Sequence, residues 1–169
     1  IKTGEREGIL DEEERQILQR TLRFTDASAK EVMTPRLDMA AVSKDATVKE
    51  AIETCIRSRH ARLPAYADSL DNVIGIFDIR DLEDSNYDDF SDLKVEDVVA
   101  STLYVPESKK VDDLLAEMRE NRMHMVMVID EFGATEGLIT MEDVLEEIVG
   151  EILVGDEERP IEFVDDNEI

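Results

Sequence analysis

One stretch of this chain lies almost on top of another, and that repeat limits the possible folds more than any other feature. "TVKEAIETCIRSRHARLPAY" (47–66) aligns with "KVDDLLAEMRENRMHMVMVI" (110–129) at an offset of 63. Val48, Ala51, Ile52 and Cys55 then match Val111, Leu114, Leu115 and Met118. Both sets fall at i, i+3, i+4, i+7, the stripe of a helix that faces a core. Arg59 meets Arg122 at the same offset. After a slip of one residue in the turn, Gly75 meets Gly137 and Asp81 meets Asp143. A chain of 169 residues with such a copy inside it is expected to fold as two small units that share a core.

Each unit reads strand–helix–strand–strand–helix. The opening strands are "DMAAV" and "TLYV"; after the first helix come "ARLPAY" or "HMVMVI", a turn, and then "VIGIF" or "EGLIT". The turns "ADSLDN" and "DEFGAT" carry the Asp, Asn and Gly that tight reversals use. A three-stranded sheet with two helices leaves one face bare, so the copies are expected to pack face to face. The predicted fold is α/β (α+β): two β-α-β-β-α repeats behind an N-terminal lead-in helix, "DEEERQILQRTLRF", with Ile17, Leu18 and Leu22 on one face. We place the lead-in and linker at 1–30, the first repeat at 31–82, an acidic connector at 83–96 and the second repeat at 97–152. A polar tail fills 153–169, either disordered or the edge of a following domain.

Charge excludes whole classes of function. There are 43 acidic residues against 19 basic, a formal net charge of −24. Such a surface repels nucleic-acid backbones and anionic lipid headgroups. It is either a solvated surface suited to a salty interior or, in part, an attractor of divalent cations; no D-x-D-x-D-G calcium loop is present. The longest apolar run, "MVMVI" (125–129), has the length of a buried strand and falls far short of the roughly 18 residues of a membrane helix. There is no signal-peptide pattern, and the start at Ile1 reads as a piece of something longer. Cys55, the single cysteine, fits a reducing compartment and is expected to be a small core residue. His60 and His124 are the only histidines, and no nucleophile, base and orienting acid stand at a recognisable spacing, so no enzyme is expected.

The chemistry centres on "GLITMEDVLEEIVGEI" (137–152), which has a worn copy in "GIFDIRDL" (75–82). Thr140 and Asp143 read in two ways. Thr at an N-cap with an acidic residue three positions on is a capping box, common in proteins of no special function. The pair also stands where a strand's carboxyl end meets a helix's amino end, and an ionised Asp there can accept from both hydroxyls of a ribose. The two roles do not exclude each other.

Two tandem units that each end in G-h-h-[ST]-x-x-D resemble a CBS-domain pair. "EVMTPRLDM" (31–39), "VIDEFGATEGLITMEDVLEEIVGEI" (128–152) and the lead-in "GILDEEERQIL" resemble, more narrowly, the CorC/CNNM family of magnesium and cobalt transport proteins. The resemblance covers residues 5 to 155. It implies that Thr140 and Asp143 hold a ribose, that the nucleotide is ATP, and that Thr34 meets a phosphate. Arg62 is the best phosphate partner, since its planar fork matches phosphate oxygens; an ordinary salt bridge is the alternative. Arg36 is a weaker candidate. Met125, Val126 and Leu138 are the apolar slot for a base, unless they are only core strand residues, and His60 is placed to stack on base or sugar. Asp78 stands where the second copy has Thr140, and Met125 where the first has Arg62, so the site of Asp78 and Asp81 is expected to be weak or empty. One Mg-ATP per chain is expected, with Mg²⁺ carried on the phosphates and no metal held by side chains.

The resemblance further implies a homodimer packed through helices, for which Leu145, Ile148, Val149 and Ile152 form a suitable stripe. It also implies an upstream transmembrane domain and a place on the cytoplasmic face of the cell membrane. The function expected is regulation of a divalent-cation transporter by Mg-ATP. The alternative is a dimerisation or protein-contact module that binds no nucleotide.

Overall fold

A computed structural model of the chain describes residues 11–83 and 92–155. The middle of the connector and the end of the tail therefore lie outside the described residues, as do residues 1–10. Helix α1 (Glu12–Asp26) and the single turn α2 (Ala29–Val32) lead into a two-residue strand, β1 (Thr34–Pro35), and a 3-10 turn at Arg36–Asp38. The first copy follows as β2 (Val42–Ser43), α3 (Val48–Ser58), β3 (Arg62–Tyr66) and β4 (Val73–Asp78). The second is β5 (Tyr104–Pro106), α4 (Val111–Glu120), β6 (Met125–Ile129), β7 (Thr135–Thr140) and α5 (Met141–Gly155).

The helices form where the stripes demanded. On α3, Val48, Ala51 and Cys55 are buried, and on α4 Val111, Leu114 and Met118. A capping box starts α3: Glu50 N–H donates to Thr47 Oγ1 at 3.0 Å, and Thr47 N–H to a Glu50 carboxylate oxygen at 2.9 Å. Asp68 (φ 70°) and Gly133 (φ 86°) provide left-handed residues in the two β-turns. The expected second helix of the first copy is, among the described residues, only a 3-10 turn at Ile79–Leu82. The following "EDSNYDDF" offers no apolar stripe for a longer helix to bury.

In each copy the opening strand runs parallel to the next: β2 beside β3, and β5 beside β6. The β3–β4 and β6–β7 pairs are antiparallel. What the repeat did not reveal is an exchange. β1, which precedes the first copy, pairs antiparallel with β7 of the second, with Thr34 opposite Leu138 and Pro35 opposite Gly137. Ala100, which precedes the second copy, bridges Ile76 on β4 of the first.

The lead-in follows the same crossing: Ala29 N–H donates to the Lys109 carbonyl at 2.8 Å and Lys30 N–H to that of Glu107 at 3.0 Å. Ala27 and Ala29 join the second copy's core, and α1 lies against α4 and α5. Val95, at the end of the connector, is buried in the first copy's core. The side chain of Leu22 lies outside the described residues, and Ile17 and Leu18 are half exposed.

Among the described residues three apolar clusters hold the fold together. One fills each copy, around Phe77 and Leu63 in the first and around Leu114, Met118 and Ile139 in the second. The third lies between the sheets and joins Val73 and Ile76 to Met125, Met127 and Leu138, which is the face-to-face packing expected. Polar bonds pin the same interface: Tyr104 Oη donates to the Val73 carbonyl, and Asp71 accepts from the Arg36 guanidinium and from Thr135 N–H. Among the described residues no helix is long and apolar enough to cross a membrane.

Candidate functional site

The sheet interface opens at one end into a cleft of about 340 Å³ lined by both copies. That is the small end of the size range of ligand sites. Its second-copy wall is the junction of β7 and α5. Asp143 N–H donates to Thr140 Oγ1 at 3.0 Å, and Thr140 N–H donates to Asp143 Oδ2 at 3.2 Å, so the capping box is formed. Oδ1 of Asp143 has no protein partner among the described residues. One carboxylate in the cleft's lining therefore caps the helix and keeps a second acceptor unpaired. Met125 and Leu138 supply the apolar wall, diagonal to each other on β6 and β7, with Met125 opposite Thr140.

The first copy supplies the opposite wall through His60 and Arg62, the latter at the start of β3, while Thr34, on the exchanged β1, stands beside Leu138 in the second copy's sheet. Arg62 is 8% exposed. Its Nε donates to Asp78 Oδ2 at 2.9 Å, and its Nη1 lies 3.6 Å from a Glu142 carboxylate oxygen of the second copy. Both readings of Arg62 meet here, since it forms ion pairs and also stands in the cleft.

Seven of the eight residues singled out from the sequence thus come together. Val126 does not: it is buried in the second copy's core, opposite Ile139 and turned away from the cleft. Successive strand residues point to opposite faces, so Met125 and Val126 cannot share one. Arg36, the weaker candidate, is turned aside; its Nη1 donates to Asp71 and, at 3.1 Å, to the Thr135 carbonyl. The Arg36 guanidinium, with Thr135 N–H, holds the Asp71 carboxyl below its usual range.

The cleft also contains Asp38, Arg59, Arg80 and Glu142, which sequence reasoning missed as site residues. Arg59 carried a signal in its match to Arg122. Glu142 and Arg80 are matched to each other by the repeat, inside the two copies of the same phrase.

A smaller cleft of about 230 Å³ stands where the repeat puts the other site, with Asp78, Asp81, Arg122, His124 and Met125 among its lining. Asp78 is already engaged there, by Arg62 and by the N–H of Arg80 at 2.9 Å. Among the described residues no three His, Cys, Asp or Glu side chains are grouped to hold a metal ion.

Two β-α-β-β units that exchange the segments leading into them and share a cleft at the sheet ends define a tandem CBS pair. The sequence profile described as "CBS domain" matches twice, at residues 29–85 and 95–150. A solved CBS domain of a bacterial CNNM/CorC family Mg²⁺ transporter, in complex with the inhibitor IGN95a, superposes with a TM-score of 0.79 at 33% identity. It covers 87% of this chain and 91% of that one. A second, in complex with ATP, has a TM-score of 0.76 and 36% identity, over 81% of this chain and 97% of that one. The magnesium and cobalt efflux protein CorC of Salmonella typhimurium is 38% identical over 164 residues, 96% of this chain and 56% of that protein. The chain belongs to the CBS-domain pairs of the CNNM/CorC family. It spans between 36% and 56% of the length of curated relatives it matches.

Proposed function

We propose that the chain is the regulatory module of a magnesium or other divalent-cation transporter, and that it binds Mg-ATP in the cleft between its copies. The observation that carries this is an Asp143 carboxylate with one oxygen in the capping bond and one unpaired among the described residues, in a cleft shared with Arg62 of the first copy and with Thr34 of the exchanged β1. That spacing of acceptor, apolar wall and cation suits the ribose, base and phosphates of one nucleotide. A relative solved with ATP supports the choice of ligand.

The carboxylates bear on the metal. Asp38 and Glu142 share the cleft with the arginines, in a chain of net charge −24, so a bare polyphosphate meets repulsion on entering. Mg²⁺ on the phosphates, keeping most of its waters, offsets that repulsion. A nucleotide touching both copies favours whichever arrangement of chains binds it more tightly, and it shifts that equilibrium only by its differential affinity. In the full-length protein the lead-in helix would pass that bias to a membrane domain, with this module on the cytoplasmic face and no catalysis of its own.

Isothermal titration of ATP with Mg²⁺ and again with EDTA is the test. Binding with magnesium and a large loss in EDTA is the expected pair of results. Equal affinity in both would remove the magnesium part, and no heat in either would favour a dimerisation module without nucleotide.

A further inference from the structure

We infer that the phosphate end of the cleft is a three-arginine wall in which Arg59 and Arg80, flanking Arg62, select nucleotides by the length of their phosphate chain. Asp78 is the positioning residue that sets Arg62 and Arg80. The inference rests on the cleft being a nucleotide site and names what makes it prefer a triphosphate.

Asp78 is the residue that spoils the first copy's own sugar clamp, standing where the second copy has Thr140. Its carboxylate is not idle. Oδ2 accepts from Arg62 Nε at 2.9 Å, and Oδ1 accepts from the N–H of Arg80 at 2.9 Å. One half-buried side chain thus orients the buried guanidinium and caps the 3-10 turn that carries the next arginine. With Nε held by Asp78, the outer nitrogens of Arg62 are left for the cleft, where Nη1 lies 3.6 Å from Glu142.

Arg59 approaches from a different element. It ends α3 in the left-handed region, at φ 64°. That position usually takes Gly or Asn, and a residue with a Cβ costs about 1 kcal/mol there. Arg59 and Arg80 both line the cleft and both are exposed, and among the described residues neither forms an ion pair. In a chain with 43 carboxylates to 19 basic groups, unpaired arginines facing one cleft are available to an anion. A monophosphate needs only Arg62, whereas a triphosphate extends past it and meets charge on either side.

Affinities for Mg-ATP, Mg-ADP and AMP, measured by titration on wild-type protein and on Arg59→Gln, Arg80→Gln, Asp78→Asn and Asp78→Ala, test the assignment. Both arginine variants are expected to lose roughly tenfold for Mg-ATP, the scale of one charge-assisted bond, and less than about twofold for AMP. Asp78→Ala should collapse the ATP-to-AMP ratio, and Asp78→Asn, which still accepts from Arg80 N–H, should recover part of it. A loss in a purely structural variant would fall equally on all three ligands and leave that ratio unchanged.

Equal losses for ATP and AMP, or none, would overturn the three-arginine wall. Tighter ATP binding by Asp78→Ala would overturn the positioning role, because Asp78 would then be a competitor for Arg62. If wild-type protein binds none of the three nucleotides, the failure lies with the nucleotide site itself.

Discussion

Asp143 is asked to do two things, and its two oxygens divide the work. Oδ2 accepts from Thr140 N–H, and Oδ1, unpaired among the described residues, is the oxygen proposed to meet the sugar. Asp143→Ala should therefore cost about 1 kcal/mol in urea unfolding as half the capping box is lost, and should remove Mg-ATP binding. Asp143→Asn keeps an acceptor for the cap, so it should retain most of the stability while losing most of the affinity. If both variants bind as wild type does, the sugar clamp is elsewhere.

Cys55 illustrates a residue whose role was legible from its position on a helical stripe. It is 4% exposed, and burial, then the charge of Asp78, pushes its thiol from 9.0 up to about 11. The folded state holds that proton through a window in which the unfolded state has lost it. Stability should therefore fall as pH rises from about 9 toward 11. A Cys55→Ala variant should lack that part of the fall in denaturation curves taken across the window. In native protein at pH 8 the thiol should also alkylate far more slowly than in urea.

At the scale of elements, the exchanged strands explain why the repeated phrase begins with glycine. A Cβ on Gly137 would stand 2.3 Å from the Thr34 carbonyl oxygen and 2.9 Å from Met33 Sδ. On Gly75 it would stand 2.6 Å from the Ala100 carbonyl oxygen. Each glycine leaves room for the backbone of the other copy's leading segment, β1 at Gly137 and the Ala100 bridge at Gly75. Gly137→Ala should displace β1, cost roughly 1–3 kcal/mol through overpacking, and weaken nucleotide binding by moving Thr34. Unchanged melting and unchanged affinity would show that β1 is free to yield.

The strands themselves were not legible. Thr34–Pro35 is two residues long, too short to show alternation, and only the bias of a residue before proline hinted at extended backbone. The first copy's second helix, a 3-10 turn among the described residues, follows the opposite logic: the aligned motif raised an expectation that the apolar pattern after Leu82 does not support.

For the whole molecule, we propose a homodimer packed through the helices. On α5, Leu145 is 45% exposed and Val149 53% exposed, while the side chains of Ile148 and Ile152 lie outside the described residues. Val149→Glu is expected to shift the protein to monomer in sedimentation while leaving its melting temperature nearly unchanged. Two chains of net charge −24 repel each other, and salt screens exposed charge beyond about 10 Å at 0.1 M. The dimer should therefore tighten as salt is raised. A species of one mass at every salt concentration, in wild type and variant alike, would remove this interface.

The duplication, the buried stripes of α3 and α4, the turns and the Thr140–Asp143 box were determined by the sequence alone. Their signals repeat every two or 3.6 residues, or span three, so the interactions behind them are local. The sequence also named seven of the cleft's fourteen lining residues, once the two copies were taken to face each other. Tertiary structure decided the rest. It chose which sheet each leading strand joins, turned Val126 inward, and brought Arg62 to Asp78 and Glu142 from two different elements. It also gave Asp78, which looked like the loss of a site, a place in the construction of the other one. Such pairings depend on how two sheets stack, and no period along a single chain records the distance between charges on opposite sides of a cleft.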